Sequence, residues 1–209
     1  MSDYTVHLAR FSDLAAHLIA YTATLSTDER KRAARLRFDD ARQAFILGRG
    51  WLRSTLGNAL NVSPGDVRFT YGPQGKPALD HTTDLTFNLA HSGDLLVLAT
   101  AEGVSLGADV EQVRPQPNLK RVAADYFSET EQKALFALPE TQQLQAFYRI
   151  WTRKEAVIKA TGDGFALPLT DFDVTHDDPP QIARLPGQWQ LHNLNMPAGY
   201  ISAVCAGRQ

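Results

Sequence analysis

The chain has 209 residues, 44% hydrophobic and 21% charged, and 21 Lys and Arg against 23 Asp and Glu leave a formal net charge of −2. That balance excludes intrinsic disorder, collagen and a long coiled coil, and leaves a globular protein of one large domain or two small ones. The single Cys205 excludes a disulfide framework and a cysteine-built zinc site, which favours a reducing compartment. The opening residues lack the basic start and apolar run of a signal peptide, and no stretch approaches about 18 apolar residues. The expectation is a cytoplasmic protein with no membrane partner.

Near-neutrality hides an uneven distribution. Residues 30–53 carry eight basic side chains (Arg30, Lys31, Arg32, Arg35, Arg37, Arg42, Arg49 and Arg53) against Asp39 and Asp40, either a solvated helix face or an anion site. Ser26 and Glu29 have capping-box spacing and open a first helix. A second follows Asp40, with Phe45, Gly48, Leu52, Leu56, Ala59 and Leu60 as its inward stripe and Arg42, Arg49 and Arg53 mostly off it. Gly72–Pro77 reads as a turn by composition. Strands are expected over 67–71, 85–90 and 95–101, the last two joined as a hairpin by His91–Asp94.

A strand over 104–111 begins a second round of helices followed by strands. Ser128 and Glu131 repeat the capping-box spacing, Pro139 opens a long helix over 140–161, and Gly162 ends it. Short strands over 170–175 and 200–205 complete the tail. Two helix-then-strand blocks of about equal size suggest an α+β pseudo-duplication, divided at 1–103 and 104–209.

Period-two geometry puts Asp109 and Glu111 on one face of the strand over 104–111, roughly 6.5 to 7 Å apart. Alone, the pair is an ordinary half-buried strand with its acids in water, but Gly107 between Leu106 and Ala108 signals close approach of another backbone or a ligand. On the long helix Trp151, Glu155 and Lys159 lie one above the other. Glu155 and Lys159 read as a surface ion pair worth about 0.2–0.5 kcal/mol, unless the indole draws Glu155 inward, where a charge needs a partner or a metal. Asp109, Glu111 and Glu155 are oxygen ligands that suit Mg²⁺. His91 and Ser92 sit at the hairpin turn, where turn chemistry alone accounts for Ser92, Gly93 and Asp94. No phosphate-loop or dinucleotide fingerprint is present.

Taken in order, Phe45-Ile-Leu-Gly-Arg-Gly-Trp-Leu-Arg53, Gly75-Lys-Pro77, Phe87-Asn-Leu-Ala-His-Ser-Gly93, Leu106-Gly-Ala-Asp-Val-Glu111 and Trp151-Thr-Arg-Lys-Glu-Ala-Val-Ile-Lys159 resemble the 4′-phosphopantetheinyl transferase superfamily, Sfp-type. The resemblance implies a pseudodimer of two similar α/β halves with coenzyme A in the groove between them. It also implies transfer of the phosphopantetheine arm to a serine of an apo acyl, peptidyl or aryl carrier protein, releasing 3′,5′-ADP, the activity of a holo-[acyl-carrier-protein] synthase. By motif position Asp109, Glu111 and Glu155 look like Mg²⁺ ligands and Lys154 and Lys159 like diphosphate contacts. Gly75, Lys76, Pro77, Ala90 and His91 fall where the family holds the adenosine, its 3′-phosphate and the diphosphate, and Arg32 where a basic residue approaches the 3′-phosphate. Ala90 stands where many relatives carry Ser, and Ala108 where a larger aliphatic is usual. Glu155, or a water it holds, is the candidate base, with Asp109 and Lys159 beside it in catalysis. An acidic carrier helix is expected near Arg114, Lys120 and Arg121, and the internal pseudodimer favours a monomer.

Two other readings use the same residues: a Mg²⁺-dependent hydrolase of a nucleotide diphosphate, and a non-catalytic nucleotide- or RNA-binding module. Aromatic residues are not interleaved with the basic run as stacking on nucleic acid requires, so no nucleic-acid partner is expected.

Overall fold

Both capping boxes form. In the computed structural model, which describes residues 4–72 and 75–208 apart from the Phe165 side chain, the Ser26 hydroxyl accepts from the Glu29 N–H at 3.2 Å and the Glu29 carboxylate accepts from the Ser26 N–H at 2.8 Å. Ser128 and Glu131 repeat the arrangement at the same two distances. These boxes open α3 (Thr27–Arg35) and α6 (Glu129–Ala137), which occupy equivalent places in two similar halves.

The first half runs β1 (Tyr4–Arg10), α1 (Phe11–Leu14), α2 (Leu18–Thr24), α3, α4 (Asp39–Leu60), β2 (Phe69–Tyr71), β3 (Pro77–Leu79), β4 (Leu85–Ser92) and β5 (Leu95–Glu102). The second runs β6 (Ser105–Gln112), α5 (Leu119–Tyr126), α6, α7 (Glu140–Thr161), β7 (Asp173–Val174), β8 (Ile182–Ala183), β9 (Gln188–Asn193) and β10 (Tyr200–Arg208). Their antiparallel sheets are β1-β5-β4 and β6-β10-β9: in each, the half's first strand pairs with its last and the last with the one before. Each half adds one 22-residue helix and a two-stranded ribbon.

Strand alternation builds four layers. Leu96 and Leu98 of β5 meet Leu47, Leu52 and Leu56 of α4, whereas Val97, Ala99 and Ala101 turn the other way. Ala203 and Cys205 of β10 pack with Phe147, Ile150 and Val157 of α7, while Val204 and Ala206 join Val97, Ala99, Leu106 and Val110 in a core shared by the two sheets. Truncating one such residue, for example the fully buried Leu56, to alanine costs about 2–5 kcal/mol. At Gly107 a Cβ would lie 2.1 Å from the Ala156 carbonyl oxygen and 2.3 Å from the Ala160 nitrogen, so β6 and α7 touch backbone to backbone.

The duplication extends to buried charge. Arg53 and Lys154 hold the same position in α4 and α7. Arg53 donates to Glu29 Oε2 at 2.7 Å and to the carbonyls of Pro64 and Val67 at 3.0 and 2.7 Å. Lys154 pairs with Glu131 Oε1 at 2.8 Å and donates to the carbonyls of Leu169 and Phe172 at 2.5 and 2.8 Å. Each buried cation thus grips the glutamate of its own half's capping box, as a charge removed from water must be paired and hydrogen-bonded.

Several expectations shift. Arg49 and Arg53 turn inward onto Glu29, at 3.3 and 2.7 Å, and Arg42 pairs with Asp39, so the basic run is partly neutralised rather than one open face. On α4 the exposed Ala59 leaves the expected stripe, and Leu47, Gly50 and Gly57 join it. The strand over 170–175 shortens to β7 behind a 3-10 turn at Leu169–Asp171, and the last strand runs on to Arg208. Among the described residues no helix is long and apolar enough to cross a membrane.

Candidate functional site

The site forms where β6 passes under the end of α7. Glycine at 107 lets the helix settle onto the strand, which brings Lys159 over Asp109: its ammonium donates to Asp109 Oδ1 at 2.6 Å and to the Ala108 carbonyl at 3.2 Å. Lys159 therefore reaches across to the strand rather than back along the helix to Glu155. Asp109 Oδ2 is buried with no hydrogen-bond partner, an exception among buried polar atoms. Burial pushes the Asp109 carboxyl up to about 7, against the pull of Lys159 and with added repulsion from Glu155 and Glu111. Burial likewise raises Glu155, opposed by Lys159 and reinforced by Glu111. Asp109 and Glu155 thus share one ammonium, and Glu111 repels both.

Among the described residues no three His, Cys, Asp or Glu side chains stand together as a ready-made metal cage. Mg²⁺ does not demand one, since it takes one or two carboxylates and completes its octahedron with water and substrate phosphate. The candidate donor set is all oxygen, and the buried Oδ2 of Asp109 is an acceptor lacking a partner. The residues present fit a Mg²⁺ ion.

Beside this cluster lie two cavities. One, of about 270 Å³, is lined by Gly75, Lys76, Pro77, Asn88 and Leu89 from the first half and by Ile158, Lys159, Gly162 and Gly164 from the second. The other, of about 490 Å³, has Glu155, Ile158, Lys159 and Gly164 with a mainly apolar wall that includes Tyr126, Leu167 and Leu169. Their shared residues make them one groove along the end of α7, with both halves contributing.

The structure brings some of the expected residues to this groove and withholds others. Gly75, in the left-handed region at φ +75°, and Pro77 line it; Pro73 and Gln74 of the same turn lie outside the described residues. Lys76 lines it too, yet its ammonium is engaged by the carbonyls of Leu106, at 3.0 Å, and Lys159, and burial lowers its pKa. His91 is exposed and edge-on to Phe11 at 5.6 Å; local desolvation and then Lys159 hold its imidazole below the ordinary value, with Glu111 opposing. The methyl of Ala90 is buried in the core between the sheets, which leaves only its backbone for a ligand. Arg32 is exposed, 5.2 Å over the Phe45 ring, and lines a separate cavity of about 700 Å³ with Arg49, Arg68 and Tyr71.

Lys154 is a correction. It is wholly buried against Glu131, 4.3 Å over the Phe172 ring, and is the counterpart of Arg53. Neighbouring Lys154 and Glu155 project to different sides of α7, as adjacent helical residues must, so only Glu155 reaches the groove. Ser92 does more than turn the chain: its hydroxyl donates to Glu111 Oε2 at 2.7 Å. No local pattern reports that contact, because Ser92 and Glu111 belong to different sheets.

Both halves of the chain resemble known proteins. A model of the 4′-phosphopantetheinyl transferase superfamily matches residues 105–205, and one described as 4′-phosphopantetheinyl transferase, N-terminal, matches residues 11–103. The 4′-phosphopantetheinyl transferase HetI of Nostoc sp. is 40% identical over 87% of this chain and 78% of its own. Sfp of Bacillus subtilis is 30% identical over 89% and 84%, and AcpT of Escherichia coli O157:H7 38% over 70% and 72%. Similarity of this extent, over both sheets and through the Asp109, Glu111 and Glu155 segments, means that the chain belongs to the 4′-phosphopantetheinyl transferase superfamily.

Proposed function

We propose that the groove along α7 holds the diphosphate of coenzyme A, and that Asp109, Glu111 and Glu155 bind a Mg²⁺ ion there. The enzyme is a 4′-phosphopantetheinyl transferase: it moves the phosphopantetheine arm of coenzyme A to a serine of an apo acyl, peptidyl or aryl carrier protein. The serine oxygen bonds to the phosphorus that bears the arm, the diphosphate P–O bond breaks, and 3′,5′-ADP leaves with the electron pair. The observation that carries this reading is the unbonded Oδ2 of Asp109 beside the Lys159 ammonium, in the field of Glu155 and Glu111, next to a groove to which both halves contribute.

When bound, Mg²⁺ supplies positive charge to the diphosphate as its bond breaks. Lys159 adds a second cation at the rim, where a preorganised charge stabilises the leaving group without reorganising water. Glu155 takes the serine proton, directly or through water, as a carboxylate raised by burial is suited to do. Glu155→Gln with near wild-type turnover at saturating Mg²⁺ would remove it from that role. The Gly75–Pro77 hairpin, His91 and the Ala90 backbone flank the coenzyme, and Arg32 approaches its 3′-phosphate. Lys154 has no part in binding.

Arg114, Lys120 and Arg121 are exposed just beyond β6, where they would meet an acidic carrier helix. Such charges act mainly on association rate and salt dependence, so their triple alanine variant should raise the Michaelis constant for carrier at low salt. Because the second half supplies what a partner subunit would, the protein acts as a monomer. It works in the cytoplasm, the compartment that a single buried Cys205 suits.

The experiment that separates transfer from hydrolysis is incubation with coenzyme A and Mg²⁺ in the absence of carrier. A transferase leaves the coenzyme intact; steady release of 3′,5′-ADP would mark a hydrolase.

A further inference from the structure

As the edge strand of its sheet, β6 pairs with β10 on one side only, so alternate backbone groups along its other side need partners from elsewhere. Side chains provide them. Lys76 takes the Leu106 carbonyl at 3.0 Å, Asn88 Oδ1 accepts from the Ala108 N–H at 2.9 Å, and Lys159 takes the Ala108 carbonyl at 3.2 Å. Ser92 accepts from the Gln112 N–H at 3.1 Å. Three of the four come from the first half, so the strand that carries Asp109 and Glu111 is held in register by the other half of the molecule.

Ser92 does more than fill a backbone vacancy. A serine hydroxyl has one proton, and its direction is free unless the surroundings fix it. Here the Gln112 N–H takes up one acceptor position, and the proton goes to Glu111 Oε2 at 2.7 Å. The residue stands on the β4 face that Asn88 and Ala90 also share, turned toward β6.

We propose that Ser92 is a positioning residue for Glu111: it pins Oε2 and so presents the other carboxylate oxygen to the cation, coupling the β4–β5 hairpin of the first half to metal affinity in the second. The inference rests on the reading of Asp109, Glu111 and Glu155 as the Mg²⁺ site. Partners that orient a metal ligand from behind typically contribute about 10–100-fold in metal affinity or activity.

The test titrates Mn²⁺ alone into the protein and follows the paramagnetic resonance of the free ion, with thermal melting of each metal-free variant alongside. Ser92→Ala should bind Mn²⁺ about 10–100-fold more weakly, and Ser92→Cys, of similar size but a poor donor, should do the same. Ser92→Thr, which keeps the hydroxyl, should bind as the wild type does. A purely structural serine would lower the melting temperature of Ser92→Ala and leave Mn²⁺ affinity where it was. Glu111→Ala separates the two levels of the reading. If Glu111→Ala loses Mn²⁺ while Ser92→Ala and Ser92→Cys bind it normally, the positioning role is wrong and the metal site stands. If Glu111→Ala binds Mn²⁺ as the wild type does, the metal site is misplaced and the role of Ser92 falls with it.

Discussion

Gly107→Ala is a one-carbon change whose effect on catalysis follows from backbone geometry. The added Cβ would stand 2.1 Å from the Ala156 oxygen, 2.3 Å from the Ala160 nitrogen and 2.8 Å from the Lys159 carbonyl carbon. These are backbone atoms of a helix held in the core by its own Phe147, Ile150 and Val157, with no flexible end to swing aside. To clear the 3.0 Å below which a Cβ is essentially never found, α7 must rise from β6 by about 1 Å. Overpacking of that kind costs about 1–3 kcal/mol, which in a chain of this length lowers the melting temperature by roughly 2–12 °C. The larger effect should be on turnover. Glu155 and Lys159 ride on α7 while Asp109 and Glu111 stay on β6, and about 1 Å of misplacement between reacting groups costs on the order of 10²-fold in rate. Turnover of coenzyme A and apo carrier, measured below the melting transition of the variant, should fall by that order. A folded Gly107→Ala protein with turnover within about threefold of wild type would refute the claim that this contact sets the site's geometry.

Removing one partner of the Lys154–Glu131 pair, as in Lys154→Met or Glu131→Gln, should cost about 3–5 kcal/mol in chemical denaturation, because the other charge is left buried; Lys154→Met with Glu131→Leu should recover much of it. At temperatures where it is folded, Lys154→Met should keep its Michaelis constant for coenzyme A, and a large rise would return Lys154 to the diphosphate. Without metal the Asp109 carboxyl holds its proton up to about 7, so Mg²⁺ must displace that proton. Calorimetry in two buffers should show proton release and an affinity that weakens as pH falls below about 7, and affinity independent of pH there would contradict the assignment. Hydrogen bonds from Arg184, then Ser128, hold Asp173 down to about 2 despite partial burial. Its contribution to stability is therefore complete above the unfolded value of about 3.9 and is lost as pH falls toward about 2. Denaturation midpoints should drop through that window in the wild type, and Asp173→Asn should flatten this part of the curve.

The elements that were legible have local causes. Ser26 with Glu29 and Ser128 with Glu131 announce their helices because a capping box is closed within four residues. Alternation put Asp109 and Glu111 on one face of β6, and Gly107 marked the close approach that α7 supplies. What was not legible depends on partners far along the chain. Nothing in residues 4–10 or 188–193 distinguishes β1 or β9 until β5 and β10 are there to pair with them. Arg53 and Lys154 look like surface charge on a helix, and only Glu29 and Glu131, drawn inward by their capping boxes, turn them into the core. The surface pairing of Glu155 with Lys159 that the helix offers when read alone does not form, for the same reason: β6, more than 40 residues upstream, offers Lys159 the buried carboxylate of Asp109.

The central claim is that acids from β6 and α7 form a Mg²⁺-dependent site for phosphopantetheine transfer. Intact mass measurement of an apo carrier incubated with coenzyme A tests it most directly, with and without Mg²⁺, using the wild type and folded Asp109→Ala. The wild type should add one phosphopantetheine arm only when Mg²⁺ is present, and Asp109→Ala should leave the carrier in its apo mass. Conversion by Asp109→Ala at the wild-type rate, or by the wild type in excess chelator, would contradict it.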